Sequence, residues 1–479
     1  MTVYLTYTIS IVGYLILLGL VITVLKRKRE PVGALAWIIA IIFLPYIGAI
    51  AFMLFGNNHI ERPLARKRRH RHDYRSSRPR PDSPLEGLSS SDSFREWDRL
   101  SKLMIRICDL PVTGGNHVSL YYEGTSAYEA MFEEIDRARD SISLQTYILR
   151  NDEIGKEFLE RLTKKAGEGV RVRLLYDAIG AHPLPRRALA PLHKAGGQSS
   201  NFLPVNILRR RFQVNLRNHR KILIVDGKTG FLGGLNIGRE YIGQDPDFGF
   251  WRDTHMRIRG NAVKDLSYVF SEDWNFATGE EVFHHMVKED TPQANGQHLL
   301  QIIEGGPDQD LNAIREWYYA ATARAKKRIW ISTPYFIPDE TMIDGLRIAA
   351  HMGVDVRLLT QGSPPDKWIP FLASRYYWEE MLEAGVRIWQ YEKGMLHAKV
   401  FLVDGQLGSI GTANLDIRSL WLNFEVNCLI YSPSLIEELE VRFRKDLSDS
   451  REIDAAAFEK RSGWVMAMEN GCRLFSPLL

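Results

Sequence analysis

Cysteine is scarce in this chain: three residues in 479, Cys108, Cys428 and Cys472, set far apart. No two have the Cys-x-x-Cys spacing, so neither a disulfide framework nor a cysteine-based zinc site is expected. Composition lacks any strong bias as well. With 45% hydrophobic and 25% charged residues, a disordered chain and a collagen-like fibre are excluded. At usual domain sizes this length corresponds to roughly two to four units. Excess charge is nearly absent overall, at +4, but it is unevenly placed. Residues 1–81 take thirteen of the 62 Lys/Arg and three of the 58 Asp/Glu, leaving a body with 49 basic and 55 acidic groups. A net acidic body does not suit a nuclease, which needs a basic groove, so nucleic acid is not an expected partner.

The first 25 residues lack charge altogether. Tyr4 to Leu25 is apolar enough and long enough to cross a bilayer. Lys26-Arg27-Lys28-Arg29 follows, then a second uncharged run from Pro31 whose apolar part ends near Phe55-Gly56. Because the charges follow the first run instead of preceding it, a cleaved signal peptide fits poorly. The sequence predicts a membrane anchor over 1–60, with hydrophobic segments at 4–25 and 32–55. Pro45 and Gly48 could break the second segment into a re-entrant hairpin. A basic juxtamembrane segment and linker occupies 61–110. Its cations (Arg62, Arg66, Lys67, Arg68, Arg69, Arg71, Arg75, Arg78 and Arg80) suit anionic head groups and favour a body on the cytoplasmic face.

Beyond a Pro- and Ser-rich stretch at 81–93, the chain repeats itself. Gly169-Val170-Arg171-Val172-Arg173-Leu174-Leu175 matches Gly353-Val354-Asp355-Val356-Arg357-Leu358-Leu359, and Thr146-Tyr147-Ile148 echoes Thr333-Pro334-Tyr335-Phe336. Helical stretches alternate with short β-rich runs, which argues for α/β layers. The long period indicates two homologous domains, at 111–290 and 291–479.

Each half carries one copy of a polar motif, His-x-Lys-x4-Asp: His219, Lys221 and Asp226, then His397, Lys399 and Asp404. An asparagine lies 17 residues after each histidine, Asn236 and Asn414. Four fixed residues at one-in-twenty odds would arise by chance roughly 0.003 times in such a chain. In a strand, residues two apart share a face, so each histidine and its lysine point the same way. Asp226 and Asp404 fall on the opposite face beside a turn, where fixing the turn suits them better than direct attack.

These residues resemble the phospholipase D superfamily, and within it the bacterial cardiolipin synthases. The resemblance extends to Arg217-Asn218-His219-Arg220-Lys221, Gly233-Gly234-Leu235-Asn236, Trp251-Arg252-Asp253-Thr254, Asn414-Leu415-Asp416-Ile417-Arg418-Ser419, Asn423-Phe424-Glu425 and the closing Ser476-Pro477-Leu478-Leu479. It implies two α/β/α lobes related by a pseudo-two-fold axis, with one active site between them holding His219, Lys221, Asp226, His397, Lys399 and Asp404. It also implies that His219 is the nucleophile and His397 the acid/base.

The residue types suggest a mechanism. A phosphodiester is an anion with a poor leaving group. A neutral imidazole can attack phosphorus, splitting one hard displacement into two through a phosphohistidine. A second imidazole protonates the departing alkoxide and then deprotonates the acceptor. Lys221, Lys399, Asn236 and Asn414 supply donors where charge develops on the phosphate oxygens. No cofactor and no metal are expected, since the lysines neutralise charge. Each histidine needs a carboxylate to set its tautomer. Glu425, 28 residues after His397, and Asp253, 34 after His219, are the candidates. Phosphatidylglycerol and anionic membrane lipids are the expected partners. The expected reaction is transfer to a second lipid giving cardiolipin, with hydrolysis to phosphatidic acid as the alternative. His70 and His72, in the basic tail, read as solvated charge, and His284 and His285, in a helix or loop after Trp274, have no partner pattern.

Overall fold

The computed structural model describes residues 13, 15, 17–25, 31–56, 92–182, 184–204, 215–286, 296–309 and 311–479. The basic clusters at 26–29 and 62–80, the stretch 81–91, residues 4–12, His70 and His72 lie outside the described residues.

Pro45 divides the second hydrophobic run. Helix α1 spans Pro31–Phe43 and α2 spans Pro45–Phe55. A proline inside a helix removes a backbone donor and clashes with the preceding turn, whereas at the first helical position it is well accommodated. The two helices fold back on each other. Trp37 packs edge-on against Phe52 at 5.4 Å, and a Cβ on Gly48 would lie 2.3 Å from the Ala40 carbonyl oxygen. The single segment expected at 32–55 is thus two short helices of 13 and 11 residues. At 1.5 Å per residue each is only about 20 Å long or less. Among the described residues, no helix is long and apolar enough to cross a membrane.

The body is built on two large sheets of the same design, with a separate short pair of strands, β11 (Phe336–Ile337) and β17 (Leu415–Asp416). In the first, the strands run in the order β14 (Gly394–Leu396), β8 (Phe250–Arg259), β7 (Thr229–Gly233), β6 (Ile222–Val225), β3 (Ser141–Thr146), β4 (Arg171–Asp177) and β5 (Gln198–Phe202), and β2 (His117–Glu123) also pairs with β8. The second sheet begins with β1 (Val112–Gly115), β9 (Gly296–Gly305), β18 (Glu425–Ile430) and β16 (Leu407–Gly411). It continues through β15 (Val400–Val403), β10 (Arg328–Ser332), β12 (Asp355–Gln361), β13 (Arg387–Tyr391) and β19 (Ser450–Glu452). Thus β8-β7-β6-β3-β4-β5 repeats as β18-β16-β15-β10-β12-β13, parallel over the last three strands and antiparallel at the β6/β7 and β15/β16 hairpins. The central strands Ile222–Val225 and Val400–Val403 are wholly buried and apolar, as strands covered on both faces must be.

The halves exchange edges. β14, from the second half, pairs with β8 of the first sheet, while β1, from the first half, pairs with β9 of the second. Ahead of β1, helix α3 (Asp92–Cys108) buries Trp97, Leu100, Met104 and Cys108 along one face, and the Trp97 indole donates to Gln406. Residues 92–115 thus pack with the second lobe. One continuous core joins the lobes, running from Ile222, Met256 and Val269 to Ile302 and Leu402.

Candidate active site

Both histidines reach the seam between the lobes by the same route. The segment before β6 lies along the chain leading into β18: the His219 amide donates to the Phe424 carbonyl, and the Phe424 amide to the Arg217 carbonyl, each at 2.9 Å. On the other side β14 lies along β8, and the His397 amide donates to the Arg252 carbonyl at 2.7 Å. Phe424 precedes Glu425 and Arg252 precedes Asp253. Each histidine is therefore laid beside the carboxylate of the other lobe. His219 Nδ1 lies 2.9 and 3.0 Å from the Glu425 oxygens, and His397 Nδ1 lies 2.8 Å from Asp253 Oδ2. Distance along the chain suggests the opposite pairing.

Electrostatics then fix the protonation states. Burial works to raise the pKa of Glu425, but His219, Lys221 and the Thr412 hydroxyl outweigh it and bring it down to about 2. Asp253 is likewise held low: burial opposes, and His397 and Lys399 prevail. An ionised carboxylate can only accept, so Nδ1 of each histidine carries the proton and Nε2 presents its lone pair. Burial drives His219 down to about 4, with Glu425 opposing and Lys221 assisting. Burial and Lys399 bring His397 to about 4 against the pull of Asp253. Both imidazoles are therefore neutral near pH 7. Burial also lowers Lys221 to about 7 and Lys399 to about 8, against the neighbouring carboxylates. With both lysines charged, these six residues carry no net charge. A phosphodiester brings one negative charge, and protonation of one imidazole restores the balance.

His219 and Lys221 precede β6, yet they keep to one side: Lys221 Nζ turns back to donate to the His219 carbonyl at 2.7 Å, and Lys399 does the same to His397. The asparagines are pinned nearby. Asn236 accepts from the Ile148 amide and donates to the Tyr241 hydroxyl, and Asn414 donates to Asp416. Each amide nitrogen has two protons, so one remains for a ligand.

Asp226 and Asp404 stand apart, at the far ends of β6 and β15. Asp226 takes φ 54° before Gly227 at 65°, and Asp404 takes φ 54° before Gly405 at 72°. Such tight hairpin turns need two left-handed residues, which aspartate tolerates. The Asp226 carboxylate accepts from the amides of Arg139, Asp140 and Ser141, and Asp404 accepts from those of Lys326, Lys327 and Arg328. They tie the turns to the starts of β3 and β10.

Several neighbours escaped the sequence reading. The Tyr147 ring centre lies 5.0 Å from that of His219, and the Trp251 ring lies 5.3 Å from His397. Both sit in runs whose repetition or resemblance was visible, but nothing separated them from core aromatics. Thr412 donates to Glu425 at 2.6 Å. Its counterpart, also two residues before the asparagine, is Gly234, where a Cβ would meet Asp253 Oδ1 at 2.1 Å. Among the described residues no group of three or more His, Cys, Asp or Glu could hold a metal ion.

One half-site used twice, each copy completed by the opposite lobe, defines a phosphodiester-acting enzyme of the duplicated phospholipase D type. Residues 131–274 and 319–447 match the family described as "Cardiolipin synthase, PLD-like domain", and residues 15–57 match "Phospholipase_D-nuclease N-terminal". The chain is 41% identical to a cardiolipin synthase of Geobacillus thermodenitrificans, covering 95% of this chain and 90% of that one. It is also 41% identical to cardiolipin synthase 2 of Bacillus anthracis, over 95% and 88% respectively. The chain belongs to the cardiolipin synthase family of the phospholipase D superfamily. Its fold is shared with the phosphatidylserine synthase of Haemophilus influenzae Rd KW20, at a TM-score of 0.61 and 15% identity, over 80% of this chain and 100% of that one.

Proposed function

We propose that the protein transfers a phosphatidyl group from one phosphatidylglycerol to another, giving cardiolipin and glycerol. The observation that carries this reading is the crossed pair of histidine–carboxylate contacts, which leaves an Nε2 lone pair on each imidazole. His219 Nε2 attacks phosphorus and the bond to the glycerol oxygen breaks, with His397, protonated once the anion is bound, supplying the proton to the leaving oxygen. His397 then takes the proton from the hydroxyl of a second phosphatidylglycerol, whose oxygen displaces His219 from phosphorus. Lys221, Lys399 and the two asparagine amides hold the phosphate oxygens throughout. Family membership and the relatives' printed names support the lipid substrate.

The hydrophobic N-terminal region supports a site at a membrane, with the body on the cytoplasmic face. A two-chain lipid drawn wholly into water would cost on the order of 20 kcal/mol at about 0.8 kcal/mol per CH2. The acyl chains must therefore stay embedded. Water, at about 55 M, competes for the intermediate, and orientation of the lipid hydroxyl can supply an effective molarity of about 10⁵ M or more. Purified protein in phosphatidylglycerol vesicles should yield cardiolipin and free glycerol, and added glycerol should reverse the reaction. Mostly phosphatidic acid, with no effect of glycerol, would replace transfer by hydrolysis.

A further inference from the structure

The last helix has its polarity reversed. After α3 come α4 (Gly124–Arg137), α5 (Glu153–Gly167), α6 (Ala262–Thr278), α7 (Ala313–Arg324), α8 (Glu340–His351), α9 (Trp368–Glu383), α10 (Ile417–Trp421) and α11 (Pro433–Ser448), and α12 spans Gly463–Arg473. Its one acid, Glu469, is fully buried between Arg375 and Arg461, each donating at 2.7 Å. One apolar face points outward instead, while Val465 and Met466 on the other side are half-buried. Trp464 is 74% exposed, and Met468, one turn along the same face, is also exposed. Leu474 is 77% exposed and Phe475 53%, with Leu478 exposed in the 3-10 turn Ser476–Leu478. A helix facing water shows the opposite pattern. An exposed apolar patch of this kind marks contact with an apolar partner.

Charge and position identify that partner as a lipid surface. The one exposed charge on α12 is Arg473, whose guanidinium lies 4.4 Å from the centre of the Tyr376 ring. Exposed tryptophan and phenylalanine on a surface that also carries an arginine and a tyrosine suit the boundary between acyl chains and anionic head groups. The patch also adjoins the site. The Arg418 amide donates to the Leu479 carbonyl at 2.9 Å, and its guanidinium to the Leu478 carbonyl at 3.0 Å and to Asn215 Oδ1 at 2.9 Å. Asn215 is four residues before His219. Asp416, which caps α10 through the Ser419 amide, also accepts from Asn414. Arg418 thus ties the C-terminal segment to the second half-site's loop and, through its own contact with Asn215, to the chain that leads into His219.

We infer that residues 463–478 dock into an anionic lipid interface and hold the mouth of the active site against the bilayer. The inference rests on the lipid reading above and adds the surface through which lipid is met. The test uses the full chain with Cys472→Ser, since Cys108 and Cys428 are buried. A fluorophore is placed at Met468→Cys, at Phe475→Cys, or, as a control, at Lys228→Cys in the turn at the other end of β6 from His219. In phosphatidylglycerol vesicles, a quencher carried on lipid chains should reach positions 468 and 475 and not 228, while aqueous iodide should do the reverse. The double variant Trp464→Ser/Phe475→Ser should lose about tenfold or more of its turnover on long-chain phosphatidylglycerol in vesicles. Its turnover on monomeric dihexanoyl phosphatidylglycerol should stay within about twofold, because an interfacial patch has no bilayer to meet there. Iodide reaching 468 and 475 as readily as 228, or equal losses on both substrates, overturns the docking. Turnover of phosphatidylglycerol by the unaltered protein, measured alongside, tests the lipid reading itself, and its absence would sink that reading whatever the quenching shows.

Discussion

Glu425→Gln offers the sharpest test of the crossed site. Glu425 falls from the ordinary 4.5 to about 2, with His219 the main group holding it down. Losing the carboxylate removes the acceptor that holds and orients the His219 ring, so turnover should fall about 10²-fold or more. Glutamine can also donate to Nδ1, moving the imidazole proton to Nε2 and removing the attacking lone pair, which can extend the loss to about 10⁴. Asp253→Asn should harm His397 in the same way. The two variants are separated by a phosphatidyl ester of p-nitrophenol, whose leaving group departs as a stable anion and needs no proton. Stopped-flow absorbance should show a nitrophenolate burst of near-normal size in Asp253→Asn and His397→Ala, followed by slow turnover. In Glu425→Gln and His219→Ala the burst should vanish. If Glu425→Gln behaved like His397→Ala instead, the crossing would be refuted. If the pairs held together but exchanged behaviour, only the roles of the two histidines would change.

Three further outcomes are expected. His219 and His397 sit at about 4 when folded against about 6.5 when unfolded. The unfolded chain therefore binds protons that the folded one refuses, and stability should fall as pH drops from 6.5 towards 4, by up to about 3 kcal/mol per histidine. Thermal melts of His219→Gln/His397→Gln should be flatter over that window; an unchanged slope would contradict neutral burial. Asp404→Ala removes an acceptor shared by three amides at 2.9, 2.7 and 2.9 Å and strains a left-handed residue. It should cost about 2–3 kcal/mol in denaturant titration, with turnover per folded molecule little changed; loss of turnover without loss of stability would return Asp404 to the chemistry. Gly234→Ala forces the Asp253 carboxylate off His397 and should lower turnover at least about 10²-fold with a modest change in melting temperature. Normal turnover would show that the contact is dispensable.

Much of this was legible because the sequence states it twice. Two copies of His-x-Lys-x4-Asp with an asparagine at the same offset located the half-sites and the repeated sheet, and apolar runs such as Ile222–Val225 located the central strands. The partner of each histidine was not legible. Glu425 lies 28 residues from His397, and only the departure of β14 to pair with β8, and of Asn218 to bridge Phe424, brings it to His219 instead. Edge exchange leaves no periodic mark in a sequence. The same holds for α3, which lies within the stretch 61–110 expected to be a juxtamembrane segment and linker, and whose sequence does not say which lobe it covers. Nothing in the sequence set Trp464, Met468, Leu474 and Phe475 apart, because hydrophobicity alone cannot distinguish a side chain turned inward from one turned out. The break at Pro45 was visible as a possibility, and the close approach of Gly48 to Ala40 shows the hairpin it makes.

The exchange of carboxylates between lobes has a consequence for symmetry. A homodimer built from one such lobe would place two identical half-sites across a two-fold axis, and any change in one would be copied in the other. Joining the lobes in one chain removes that constraint. Here a short aspartate beside an obligatory glycine serves one histidine, while a longer glutamate held by a threonine serves the other. Neither lobe contains a complete histidine–carboxylate pair, so competence arrives only when both have folded and docked, yet each imidazole is free to be tuned for its own half of the catalytic cycle.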